Sequence, residues 1–221
     1  MSQESLAQMI DRPISERSYH LTNIASLLIV LRHGQAAYTK EEDEGGDAVE
    51  GNLTEEGQTR VRAATEEIIN QLISTHTQKL NLISSPKRRC LQTRDILLNT
   101  FEHIGVSIET QIDPALRDVK VIGPTTNLPN SYQRWEKDML PGENWFAAWM
   151  RKAKEGITFY PGEESPDDVQ TRVALALPPY LSSPTPTILV CHEETLGAIA
   201  YHLNITWTRP TYGEVWYFFH Q

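Results

Sequence analysis

Two apolar runs of five residues constrain this chain more than anything else in it: Leu27-Leu28-Ile29-Val30-Leu31 and Thr187-Ile188-Leu189-Val190-Cys191. Neither alternates with polar residues, as a strand with one wet face would. Each reads as a strand buried on both faces, the pattern of parallel sheets covered by helices. The sequence between them supplies such helices. Thr54 suits an N-cap, and Val61, Ala64, Ile68, Leu72 and Ile73 then recur at helical spacing. Leu80–Ile83 is another short strand, closed by Ser84-Ser85-Pro86, and a helix follows through Arg94, Leu97, Leu98 and Phe101. Val106–Ile112 is a third strand. Ser165 and Pro166 fit the N-cap and first position of a helix running towards Leu181. Glu193–His202 is helical, and Val215–Phe219 is the last strand. Strands alternating with helices predict an α/β fold with a mostly parallel central sheet.

The chain has 221 residues, enough for one ordinary domain. Residues 1–25 are polar and read as an N-terminal extension to a domain spanning 26–221. Residues 118–163 are irregular, with four prolines and Trp135, Trp145 and Trp149. The 29 acidic residues exceed the 20 basic ones, a formal charge of −9. Nucleic acids and anionic membranes reward positive charge, so neither is an expected partner. No apolar run approaches the roughly 18 residues of a membrane span. Cys90 and Cys191 alone make no disulfide framework, and the first residues lack a secretory pattern, so a cytoplasmic setting is expected. The sequons at Asn52 and Asn204 are then chance, and Glu41-Glu42-Asp43-Glu44 is a solvated loop. Oligomeric state is not legible.

Three polar signatures follow apolar strands: Arg32-His33-Gly34-Gln35, Ser84-Ser85-Pro86 with Lys87-Arg88-Arg89, and His192-Glu193. In open α/β sheets, ligands bind beyond the carboxyl ends of the strands, so the three can converge on one pocket. The residue types suit phosphoryl transfer. Arginine forks grip phosphate oxygens, a histidine nitrogen can attack phosphorus, and a second histidine can stabilise the developing charge. Neighbouring cations lower the pKa of the attacking histidine and keep it neutral. Glycine after the nucleophile leaves room for backbone to approach a ligand.

These blocks resemble the histidine phosphatase superfamily, which includes the cofactor-dependent phosphoglycerate mutases and many small phosphatases. Its strand-Arg-His-Gly-Glu/Gln signature appears as Leu31-Arg32-His33-Gly34-Gln35. Leu-Thr-x-x-Gly appears as Leu53-Thr54-Glu55-Glu56-Gly57. Ser-Ser-Pro-x-x-Arg-x-x-Gln-Thr appears as residues 84–93. Gly162-Glu163-Glu164-Ser165, with Arg172 downstream, approximates the Gly-Glu-Ser block, and Leu189-Val190-Cys191-His192 matches the last. The resemblance implies a three-layer, phosphoglycerate mutase-like sandwich with a cap-like insertion around 119–163. It implies His33 as nucleophile, with Arg32, Arg89 and His192 around the phosphate and Gln35 on the substrate side. Asp118, in Leu116-Arg117-Asp118, stands where the family places a glutamate as general acid. Glu193 replaces the usual glycine after the second histidine and is a rival donor. Thr39 stands where relatives carry a phosphate-binding asparagine.

His20, His76, His103, His202 and His220 carry no such context and read as structural or solvated. Lys87 and Arg88 are a solvated helix start or draw in anionic substrate, on even terms. Cys191 reads as a small buried hydrophobe. His192-Glu193-Glu194-Thr195-Leu196 is not H-E-x-x-H, and there is no Walker loop or G-x-G-x-x-G, so neither a metal nor another cofactor is expected. The expectation is a metal-independent phosphatase for a small phosphomonoester, acting through phosphohistidine. Its rivals are mutase-type transfer and an inactive phospho-ligand binding module.

Overall fold

The structure is a computed structural model and describes residues 13–37, 51–121, 137, 139–143, 145–157, 159–160, 162–206 and 209–220. Their strands are β1 (Ser18–Leu21), β2 (Leu28–Arg32), β3 (Ala36–Ala37), β4 (Asn52–Leu53), β5 (Lys79–Ser84), β6 (Ser107–Ile112), β7 (Thr187–Cys191) and β8 (Val215–His220). Their main helices are α1 (Glu55–Ser74), α2 (Arg88–Phe101), α3 (Trp145–Lys154), α4 (Pro166–Ala176), α5 (Pro178–Leu181) and α6 (Glu193–His202).

Six strands form one sheet in the order β1-β8-β2-β7-β5-β6. β2, β7, β5 and β6 run parallel; β8 pairs antiparallel with β2 and parallel with β1. All residues of β2 and β7 are buried, because both faces of the sheet are covered. On one face Ile29, Leu31, Ile188 and Val190 pack with Ala64, Ile68 and Leu72 of α1 and Leu97 and Phe101 of α2. On the other, Leu28, Val30 and Leu189 meet Val169 and Val173 of α4 and Leu196 and Ile199 of α6. This is the mostly parallel three-layer α/β sandwich that the sequence predicts.

The helix starts also follow the sequence. Thr54 accepts from Gly57 N–H at 2.9 Å, and Ser165 and Asp168 form a reciprocal capping box with Pro166 in the first turn. The helix expected to reach Leu181 instead ends at Ala176, and α5 begins at Pro178. Pro178 and Pro179 supply no N–H to continue the ladder.

The N-terminal boundary differs from the expected extension through residue 25. Residues 18–21 form an edge strand on β8, and Tyr19 stacks on Phe218. Arg17 is 1% exposed, donates to the Val215 carbonyl at 2.6 Å and pairs with Glu67, which accepts from Tyr217. A four-residue strand with an exposed histidine shows no apolar run, and so the sequence does not betray it. Within the segment expected as a cap-like insertion, the described residues include α3, whose Ala148 and Trp149 are buried in the core. None of the described helices is long and apolar enough to cross a membrane.

Candidate active site

Register brings the three strand-end signatures together. Arg32 pairs with Cys191 across β2 and β7, and Ser84 with Val190 across β5 and β7. His33, Ser85 and His192 therefore leave the same edge of the sheet. Arg89 follows one residue into α2, with its side chain buried.

His33 is 4% exposed. Its Nδ1 lies 2.7 Å from the Gly34 carbonyl, which can only accept, so Nδ1 carries the proton and Nε2 the lone pair. Arg89 Nε donates to that Nε2 at 3.0 Å. Arg89 Nη2 donates to His192 Nδ1 at 3.1 Å and pairs with Asp118. His192 then has its proton on Nε2, facing Ser85 Oγ at 2.8 Å and Cys90 Sγ at 3.4 Å. The two imidazoles meet edge to face, with centroids 5.0 Å apart. Burial, then the Arg89 cation, holds both well below the ordinary histidine pKa. The same burial pushes the Cys90 thiol up to about 12 and Cys191 upwards as well, so both are inert thiols.

Arg32 sits over the Tyr212 ring at 4.0 Å, donates to the Pro210 carbonyl at 2.5 Å and pairs with Glu193 at 2.9 Å. Its Nε is buried without a hydrogen-bond partner among the described residues. Glu193 also lies 2.7 Å from Arg209 Nε. Named from the sequence as a rival donor, Glu193 is held between the guanidiniums of Arg32 and Arg209.

Asp118 is one-fifth exposed. Burial raises its pKa, but the Arg89 cation and a hydrogen bond from Glu194 outweigh that and leave it below the carboxylate range. The turn carrying Asp118 is clamped from outside. Glu164 accepts from Arg117 at 2.6 and 2.8 Å and from Arg172 at 3.0 Å. Arg172 in turn donates to the Ala115 and Arg117 carbonyls, and Arg117 to that of Asp118.

Gly34 corrects one expectation. A Cβ there would stand 2.7 Å from the Gly57 carbonyl oxygen and 2.8 Å from Val61. The space it frees is taken by the first turn of α1, not by a ligand. Gln35 is half-buried, and its carbonyl accepts from Thr54 N–H at 3.0 Å. Arg88, read from the sequence equally as a solvated helix start or a contact for anionic substrate, is exposed, whereas Arg89 one position on is buried. Lys87 is the neighbour that acts on His192 and Asp118. Thr39, Trp135 and the side chain of Trp145 lie outside the described residues. Among the described residues, no group of three or more His, Cys, Asp or Glu is arranged to hold a metal ion.

Sequence reasoning passes over Ser85, Glu164 and Glu194 as functional side chains. Ser85 and Glu164 lie inside the quoted blocks, which are their signal. Glu194 follows the strand-end His192, but acids in the first turn of a helix are ordinary.

A neutral imidazole whose Nε2 lone pair meets the Arg89 donor lies here beside a second buried arginine and a second imidazole, all at one edge of the sheet. The sequence matches the histidine phosphatase superfamily (branch 1) over residues 28–211, and the chain belongs to that family. Among solved structures, a mycobacterial glucosyl-3-phosphoglycerate phosphatase in complex with VO3 is similar, with 24% identity and a TM-score of 0.58, over 87% of this chain and 92% of that one. A structure described as mycobacterial hydrolase 2 is 25% identical with a TM-score of 0.57, over 87% and 81% of the two chains. No curated protein matches the sequence.

Proposed function

We propose that this chain hydrolyses a small phosphomonoester through a covalent phosphohistidine at His33, without a metal. One observation carries the reading most directly: His33 is fixed by the Gly34 carbonyl in the tautomer that leaves Nε2 nucleophilic, and Arg89 points at that same nitrogen. A bound phosphoryl group would take over the Arg89 donors and satisfy the orphaned Arg32 Nε. Its negative charge would raise the proton affinity of His192, turning Nδ1 from acceptor into donor towards the phosphoryl oxygens. Asp118, beside His192 and Arg89, protonates the leaving oxygen and later takes the proton of the attacking water. Arg32, Arg89 and His192 supply the charge a metal would otherwise bring. Glu193, paired with two arginines, serves to set Arg32 rather than to donate a proton.

The chain that carries this basic pocket has a net charge of −9. That favours compact substrates over polyphosphates or RNA.

The test is phosphate release from an aryl phosphate and a panel of metabolite monoesters, in chelator, beside His33→Ala. Activity in the wild type alone, with an acid-labile phosphoryl group trapped on His33 by rapid quench, is the expected result. Transfer between positions without release would indicate a mutase, and equal turnover by His33→Ala would overturn the reading. Asp118→Asn should impair alkyl phosphates more than aryl ones; if Glu193→Gln does so instead, the acid is misassigned.

A further inference from the structure

Asp118 does not act alone: Thr195 Oγ1, next to Glu194, donates to the Arg117 carbonyl at 3.1 Å and holds the start of α6 against the turn that carries Asp118, where the two carboxyls share a hydrogen bond. Two ionised carboxylates have no proton to donate and repel each other, so this contact requires a proton within the pair. The surroundings decide where it rests. Asp118 lies against the Arg89 guanidinium and accepts from Val119 N–H at 2.8 Å; both favour its ionised form. Glu194 is 6% exposed and faces the charges of Asp118 and Glu193.

The arginines near Glu194 are committed elsewhere. Arg32 and Arg209 pair with Glu193, Arg172 of α4 with Glu164, and Arg151 of α3 with Glu143 and Glu155. On its other side Glu194 lines a cavity of about 630 Å³ between α3, α4 and α6, walled by Trp149, Met150, Val169 and Ala198, with Lys154 and Tyr201 also on it. None of Arg32, His33, Arg89 or His192 lines that cavity. Its apolar wall favours a neutral carboxyl.

Building on the reading of Asp118 as proton donor, we infer that Asp118 and Glu194 work as one acid, in which Glu194 stores the proton and Asp118 delivers it. As the His33 Nε2–phosphorus bond forms, the ester P–O bond breaks and its electron pair stays on the leaving oxygen. The proton held by Glu194 passes to Asp118, and from Asp118 to that oxygen, leaving both carboxylates ionised. In the second half, water bonds to phosphorus, the P–N pair returns to His33, and the water proton passes through Asp118 back to Glu194. Glu194 is thus a positioning residue that acts through Asp118.

The test compares an alkyl with an aryl phosphate across pH in wild type and Glu194→Gln. The amide keeps a hydrogen-bond donor but has no proton to relay. Expected are a loss of about thirtyfold on the alkyl substrate, a loss about tenfold smaller on the aryl one, and a basic limb of the alkyl profile moved to lower pH. An unchanged alkyl-to-aryl ratio with an unchanged basic limb overturns the inference, and leaves Asp118 standing if Asp118→Asn retains its selective defect. A second measurement needs no turnover. The infrared carbonyl band of a protonated carboxylic acid should appear at neutral pH in His33→Ala and vanish in His33→Ala/Glu194→Gln. Its absence from His33→Ala, or its persistence in the double variant, overturns the pair even if the phosphatase reading itself fails.

Discussion

A Cβ on Gly57 would lie 2.1 Å from the carbonyl oxygen of Gln35, well inside van der Waals contact. The loop that carries His33 and the first turn of α1 touch backbone to backbone, so neither can move without the other. Gly57→Ala and Gly34→Ala should each cost about 1–3 kcal/mol of stability, as overpacked sites do. They should also lower kcat more than tenfold, roughly the cost of a small displacement of a reacting group. Urea unfolding and steady-state assays check both. Arg62→Ala, exposed on the same helix, should stay within about 0.5 kcal/mol of wild type.

The buried ionisable groups set how stability varies with pH. Folded, His33 and His192 stay neutral; unfolded, each takes a proton below about 6.5. Their contribution is complete above that pH and is lost as pH falls. Glu194 has the opposite sign, since the folded chain keeps a proton that the unfolded chain releases above about 4.5. From these three groups, between pH 4.5 and 6.5 the unfolded chain binds two protons more and one fewer, a net of one. Stability should rise with pH there by about 1.4 kcal/mol per unit. Denaturant unfolding in pH steps should show stability rising with pH through this window, and Glu194→Gln should make the rise steeper because the opposing contribution is gone. A wild-type curve that falls between pH 5 and 6.5 would contradict this.

Ser85 is fully buried and is the oxygen that receives His192 Nε2–H. Ser85→Ala leaves that donor with only the weak Cys90 sulfur at 3.4 Å. An unsatisfied buried donor costs about 1–3 kcal/mol. The same change should weaken inhibition by inorganic phosphate about tenfold, because His192 loses its orientation.

Glu164 holds Arg117 and Arg172, and through them the carbonyls around Asp118. Neutralising it leaves two largely buried guanidiniums without their counter-charge. Glu164→Gln should lose about 3 kcal/mol and reduce kcat on alkyl phosphates while KM stays constant. A stability loss with unchanged kcat would show that the clamp serves the fold alone.

Much of this follows from the sequence alone, for physical reasons. Arg32, His33 and His192 end apolar runs, and such runs place their last residues at the edge of a parallel sheet. What depends on packing between distant segments was not readable. The glycine at 57 belongs to a motif, but its necessity comes from Gln35, 22 residues away. The direction of β8 leaves no trace in its composition. The helix over 166–181 reads as continuous because Leu177 and Leu181 stay on the buried face even though the backbone breaks at Pro178. Glu194 hides because a first-turn acid is equally at home facing water.

The edge strand β1 has a bearing on solubility. β8 contains Val215-Trp216-Tyr217-Phe218-Phe219, an uncharged stretch without proline or glycine. Segments of this kind pair readily with their own copies when an edge is open. β1 occupies that edge, and Arg17 latches it to Glu67 and Val215. A chain starting at residue 22 would keep every residue named in the site and yet carry a bare aromatic strand along its flank. It should precipitate on warming or bind an amyloid-sensing dye under conditions where the full chain stays clear. On this prediction, β1 and the Arg17 latch guard the sheet against self-association.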